Sequence, residues 1–448
     1  MIERGFIWKT FLFLLMAGAG LVSVSCSSDE EVAQEDVETS DPQNPSSGDP
    51  RGTGVSSDSM VVQMLPTTRA IELTQEQKTF VVNNNDFSFN LYRAINEADS
   101  KSSNITSPLS VTYVLGMLND GAAGQTAKEL TQVLGFGDNN KQAVNEYCKS
   151  LIEQAPVADP SVILQIANIV AANENLTLKD AFCKDMKDYY SAEVASLDFS
   201  KASSVDYLNS WCKEKSGGMI PSIIESLSPQ DLLVLMNAVY FNATWTEKFD
   251  AKDTKQEAFT MADGSKATLP MMHRKAEILY CENDLFTAIN LPFGSGDRWS
   301  MRILLPAEGK TTSDVINGLN SDSWGKAFWQ RAQVDIKVPR FTTKSDITLN
   351  GMVAKLGAPS MFNPDVADFS LISKNRKDLF VSLLKQKAAI EVTEEGTKTA
   401  AVTVAMMCGA NIYMIPDKGN FHADRPFVYI IQEASSGAIF FIGTFQGD

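Results

Sequence analysis

The chain holds two histidines, His273 and His422, in 448 residues. Neither stands beside a serine or cysteine in a nucleophile setting. There is no G-x-S-x-G elbow, no H-E-x-x-H, no Walker loop and no G-x-G-x-x-G after a strand pattern. Glu394 and Glu395 could do acid and base work, but as adjacent strand residues they would point to opposite faces and share no substrate. A hydrolase is therefore the weakest class. Beyond Cys26, the cysteines Cys148, Cys183, Cys212, Cys281 and Cys408 form no C-x-x-C pair. Neither a disulfide framework nor a zinc site is implied, and no metal or other cofactor is expected.

The informative stretch for chemistry follows those two glutamates. Between Thr397 and Ile415 the only charge is Lys398, while Thr397, Thr399, Ala401, Thr403, Ala405 and Met407 share the opposite parity. In a strand these six face one side and Lys398 the other. An ordinary edge strand carries bulkier β-branched and aromatic residues on its packed side. Small neutral residues suit entry into a sheet that is already formed.

The elements that would position this segment are legible along the chain. Phe80, Phe87, Leu91 and Ile95 fall at helical spacings, and Ser107-Pro108 supplies an N-cap and N1 proline for a second helix. Thr126 and Glu129 read as a capping box for a third. Strands are expected at Val162 to Ala172, along the apolar run Leu232 to Phe241, at Met301 to Leu305, and where Val334, Ile336 and Val338 alternate. Pro426 to Gln432 and Gly437 to Thr444 read as a closing hairpin.

Composition bounds the class. Hydrophobic residues make up 44% and charged residues 21%, which suits a chain with a large core. A net charge of -16 argues against nucleic acid, whose affinity rests on Lys and Arg. Arg4 and Lys9 precede an apolar run from Phe11 to Val22, too short to span a bilayer. Leu21 to Cys26 resembles a bacterial lipobox. The expectation is a signal peptide over residues 1–25, lipidation of Cys26, and an acidic tether over 26–70 too poor in apolar residues to fold. The location that follows is the outer membrane through a lipid anchor, surface-exposed or secreted; Asp29-Glu30-Glu31 resembles an acidic export tag. The globular body then covers 71–448.

Two motifs name a family. The run Glu394, Glu395, Gly396, Thr397, Lys398, Thr399, Ala400, Ala401, Val402, Thr403, and the run Phe421-His422-Ala423-Asp424-Arg425-Pro426-Phe427, resemble the hinge and C-terminal signature of the serpins. Asn104 to Ser110, Gly121 to Thr126, Asn237 to Phe241 with Trp245, and Val338 to Phe341 match the family in order. The resemblance implies a mixed α+β fold with one large, predominantly antiparallel sheet, smaller sheets, about eight or nine helices and an exposed reactive loop. It implies a monomeric inhibitor of serine proteases, with cysteine proteases as a second class. A protease attacks the loop, the loop inserts as a new strand of the main sheet, and the acyl-enzyme is trapped before it hydrolyses.

The same resemblance assigns sheet opening to Ser107, Ser110, Asn237, Trp245, Arg340 and Gln386, with Arg340 pairing Glu394. Gln386 stands where the family usually has His, and Thr399 where it usually has Ala. Counting seventeen residues from Glu394, both ends included, places the reactive bond at Ala410-Asn411, with Tyr413 or Met414 as the alternative in a loop longer than usual. A small residue such as Ala410 suits the shallow pocket of an elastase-like protease. A non-inhibitory serpin acting as a binding scaffold is the first alternative function, and a hydrolase the second.

Overall fold

The computed structural model describes residues 67–137, 141–397 and 416–448. The expected signal peptide, Cys26 and the tether up to residue 66, the hinge residues from Lys398 to Thr403, Cys408, the reactive-bond residues Ala410 and Asn411 and the alternative Tyr413 and Met414 lie outside the described residues.

Helix α1 (Gln75–Ala98) starts at Thr74, whose hydroxyl accepts from the Gln77 amide while the Gln77 side chain takes the Thr74 amide. It buries Phe80, Phe87, Leu91 and Ile95, the stripe its spacing predicts. Strand β1 (Asn104–Thr106) leads through the cap Ser107 into α2 (Pro108–Gly121), which is buried on every side. Helix α3 (Gly124–Val133) departs from expectation. Its cap is Ala123, so Thr126 and Glu129 lie inside the helix and form no capping box. They are spent on tertiary ties instead: the Thr126 hydroxyl accepts from the Asp368 amide, and Glu129 accepts from the Ser360 amide and hydroxyl.

The chain continues through α4 (Lys141–Gln154), β2 (Val162–Asn173), α5 (Asp180–Tyr190), β3 (Ala192–Leu197), α6 (Ala202–Lys215) and β4 (Leu233–Thr244). Then follow β5 (Lys255–Thr260), β6 (Lys266–Glu282), β7 (Phe286–Phe293) and β8 (Trp299–Pro306), the short helices α7 (Thr312–Gly318) and α8 (Ser321–Gly325), and strands β9 (Gln330–Pro339) and β10 (Phe341–Thr348). Helix α9 (Asn350–Leu356) precedes β11 (Lys385–Thr393), β12 (Gly396–Thr397), β13 (Asp417–His422), β14 (Phe427–Glu433) and β15 (Ile439–Phe445).

Two sheets result. Nine strands run β1-β15-β14-β8-β7-β6-β9-β13 with β5 paired to β6, antiparallel except for β9 with β13. Six strands run β10-β11-β12-β4-β2-β3, antiparallel except for β2 with β3. The nine helices counted among the described residues, with these two sheets, make a mixed α+β fold.

Candidate functional site

Glu394 and Glu395 sit in the turn between β11 and β12, not in a strand. Short polar links dock this turn onto the chain that leaves β4. Trp245 donates its backbone amide to the Glu395 carbonyl at 2.9 Å and its indole Nε1 to the Thr393 carbonyl at 2.9 Å. Its ring stacks on Phe293 with centroids 4.3 Å apart, which fixes the indole in place. The Phe249 amide donates to the Glu394 carbonyl at 3.0 Å.

The Glu394 carboxylate is buried and fully engaged. Arg340 holds it in a two-point fork, Nε to Oε2 at 3.1 Å and Nη2 to Oε1 at 2.5 Å, and the Thr254 hydroxyl donates to Oε1 at 2.7 Å. Burial pushes this carboxyl up, but the hydrogen bonds from Arg340 and Thr254 outweigh burial and hold it below the usual carboxylate range. The second carboxylate, Glu395, turns to Lys248 at 2.5 Å. Two adjacent acids thus serve two separate anchors and confront no common substrate.

Beyond the turn, Gly396 and Thr397 enter the six-stranded sheet. They pair with Val392 and Thr393 of β11 on one side and with Ala243 and Thr244 of β4 on the other. Gly396 adopts φ of +141°, and a Cβ there would lie 2.1 Å from the Ala243 carbonyl oxygen, so the backbone approach admits no side chain. Thr397 is 1% exposed, and its hydroxyl accepts from the Ala243 amide at 3.2 Å. The hinge therefore begins inside the sheet: the small polar side chain of Thr397 satisfies the Ala243 backbone from within.

Strand β4 pairs with β2 along its length, whereas β11 pairs in full with β10. Among the described residues no ladder joins β4 to β11; only the two residues of β12 stand between them. Below β12 their facing edges border a crevice lined by Ser107, Ser110, Asn237, Gln386 and Thr397. Gln386 Oε1 accepts from the Thr106 hydroxyl at 2.5 Å and from the Ser107 amide at 3.2 Å, while its Nε2 donates to the Ser107 carbonyl at 2.8 Å. Ser107 Oγ caps Ser110. Asn237 does not join this group. Its Nδ2 donates to the Ala167 carbonyl and to Asn168 Oδ1, and its Oδ1 is buried without a partner among the described residues.

The structure therefore gathers Arg340, Trp245, Glu394, Glu395, Gly396 and Thr397 at one end of the β4–β11 gap, and Ser107, Ser110 and Gln386 further along it. Asn237 borders the gap through other partners. Sequence reasoning did not find Thr254, Lys248, Thr106 or Asn168. A threonine or lysine more than a hundred residues from its partner leaves no periodic or spacing signal.

Comparisons with known proteins agree with this architecture. The family model described as Serpin (serine protease inhibitor) matches residues 82–446. A leukocyte elastase inhibitor from Homo sapiens is 31% identical over 377 residues, covering 81% of this chain and 98% of that protein. An uncharacterised serpin-like protein from Thermococcus kodakarensis is 32% identical over 385 residues, covering 85% of this chain and 88% of the other. The crystal structure of tengpin, a thermophilic serpin, in its native state superposes with a TM-score of 0.74 at 28% identity, covering 86% of this chain and 98% of tengpin.

Proposed function

The chain belongs to the serpin family, and from that premise we propose that it is a suicide-substrate inhibitor of serine proteases, acting by insertion of its reactive loop between β4 and β11. The observation that carries this reading is the seating of Gly396–Thr397 between two strands that do not pair with each other. Extending that register, each further odd-numbered residue to Met407 would follow Thr397 onto the buried face, where Ala388, Ile390 and Val392 already lie. These positions are neutral and mostly small, and the one charge of the segment, Lys398, has the opposite parity. A new strand would give the facing edges of β4 and β11 the hydrogen bonds they do not make with each other, a gain available only after the loop is cut and free to move.

The finer assignments extend the same proposal. The reactive bond is Ala410-Asn411, the target class is elastase-like, and the likeness to a leukocyte elastase inhibitor supports that class. The protein acts as a monomer, tied through lipidated Cys26 to the outer membrane. Incubation with elastase-like, chymotrypsin-like and papain-like proteases tests the reading. An SDS-stable adduct with the first, releasing a peptide that begins at Asn411, is the expected result. Release at Met414 or Ile415 from a stable adduct would move the bond. Loop cleavage without an adduct by all three would replace inhibition with a scaffold role.

A further inference from the structure

The room between β4 and β11 is uneven. Beside β12 the crevice holds about 30 Å³, whereas a cavity of about 320 Å³ opens at the other end, between the first residues of β4 and the chain that leads into β11. Val114 and Leu118 of α2, Leu233 and Leu235 of β4, Phe369 and Leu384 line it, all of them apolar. Phe380 and Leu383 also border it and are themselves exposed, so the cavity reaches the surface. Apolar walls without a packed partner forgo dispersion contacts, and filling such a space is favourable.

The register of β12 shows which residues of the chain could fill it. Thr397 stands opposite Ala243 of β4 and Val392 of β11. Counting on along both strands, position 405 comes level with Leu235 and with Leu384, the residue before β11, and position 407 comes level with Leu233. Alternation puts both positions on the face that Thr397 shares with Val392 and Ala243, the face backed by α2. The ten steps from Thr397 to Met407 span about 33 Å at 3.3 Å each, and the same ten steps separate Ala243 from Leu233. The inward series Thr397, Thr399, Ala401, Thr403, Ala405, Met407 stays small until its last member. Its one long side chain thus falls at the wide end of the gap, and its short ones where the crevice is narrow.

We propose that this cavity is a socket for Met407, filled when the cut loop inserts, and that filling it supplies a separate share of the stability gained on insertion. The inference rests on the loop-insertion reading above and adds to it a named receptor site and the residue that occupies it. An unbranched thioether suits such a site, because its three torsions adapt to an irregular space and its sulfur and terminal methyl pack against aliphatic and aromatic walls alike.

The test compares guanidinium unfolding of the whole protein before and after the loop is cut at or beyond Ala410, for the unmodified chain, Met407→Ala and Met407→Leu. Before cutting, the three should share one midpoint. After cutting, the unmodified chain and Met407→Leu, which conserves volume, should gain alike. Met407→Ala should fall short of them by about 0.5 M, the midpoint shift for a truncated core methionine in a large domain. A second measurement uses the uncharged apolar fluorophore N-phenyl-1-naphthylamine. It should bind the uncut protein, be excluded from the cut unmodified protein, and bind the cut Met407→Ala. An equal gain in all three proteins, or fluorophore binding that cutting does not change, would overturn the socket and leave insertion standing. No gain in any of them would overturn insertion, and the socket with it.

Discussion

Strands β14 and β4 are both apolar runs in the middle of a sheet, yet they end in opposite conditions. Strand β14 is bonded along its length to β15 on one side and β8 on the other, and every residue from Phe427 to Glu433 is buried. Strand β4 is bonded in full to β2 but on its other side, among the described residues, only to Gly396 and Thr397. Apolar sequence alone therefore does not decide whether a strand is finished. What separates the two is who stands alongside: a tight hairpin partner for β14, and a two-residue stub for β4. Among the described residues the nine-stranded sheet is closed at its centre, whereas the six-stranded sheet keeps pairing capacity there.

The strongest way to break this contrast is to put a charge into the stub. Thr397→Arg would force a guanidinium into a position that is 1% exposed, beside a turn whose Glu394 and Glu395 already serve Arg340 and Lys248, costing about 3–5 kcal/mol, and should expel β12 from between its neighbours. Denaturant unfolding and the fluorescence of the tryptophans, Trp245 at the turn among them, would report the loss. Ala401→Arg provides the contrast, since on the proposed function that residue enters the sheet only after the loop is cut. On the proposed function it leaves native stability within about 0.5 kcal/mol but turns the inhibitor into a substrate that is cut and released. Native-like stability in Thr397→Arg would show that the stub is not part of the sheet.

Much of this was legible in the chain, and the reasons differ by element. Helix α1 and the α2 cap follow from local periodicity and from Ser107-Pro108, which act within a few residues. The parity of Thr397 foretold which way its side chain would point, because strand alternation is a property of the backbone. That Thr397 is already seated was not legible. It depends on Gly396 admitting the Ala243 carbonyl and on Thr254, Lys248 and Trp245 holding the turn, contacts made across the fold. The α3 start failed for the same reason: Thr126 and Glu129 carry a local capping pattern, but Asp368 and Ser360 claimed them.

A smaller effect sharpens the comparison at the anchor of the stub. Glu394→Gln keeps the size and one acceptor but removes the charge that Arg340 grips, and should cost about 1–2 kcal/mol at neutral pH, between the values for exposed and buried pairs. The folded-state carboxyl is held below its ordinary value, so its stabilisation is present above that value and lost as pH falls through the folded one. The gap between the unmodified protein and the variant should therefore be widest near pH 7 and close below about pH 4. A gap that stayed constant down to pH 3 would mean the variant loses packing and not charge.

The smallest expected effect lies further along the same gap, at Gln386. This amide accepts two hydrogen bonds through Oε1 and donates one through Nε2, so it ties β11 to the junction of β1 and α2 without any titratable group. In Gln386→His a neutral ring would accept through one nitrogen and donate through the other, and would lose one of the two accepted bonds or share it poorly. The cost at pH 8 should be about 1 kcal/mol or less, the net value of one such bond. Acid should enlarge it. The position is 7% exposed and its hydrogen-bond partners are Thr106 and Ser107, neither a carboxylate. Burial would hold the histidine below its ordinary value, and stability would then fall as pH drops below about 6.5. The unmodified protein, with an amide there, should lack that added slope between pH 8 and 5.5. Denaturant midpoints across this range decide the matter. Parallel profiles for the two proteins would mean that the ring swings out of the crevice, and that the tie between β11 and α2 is not what holds this part of the sheet together.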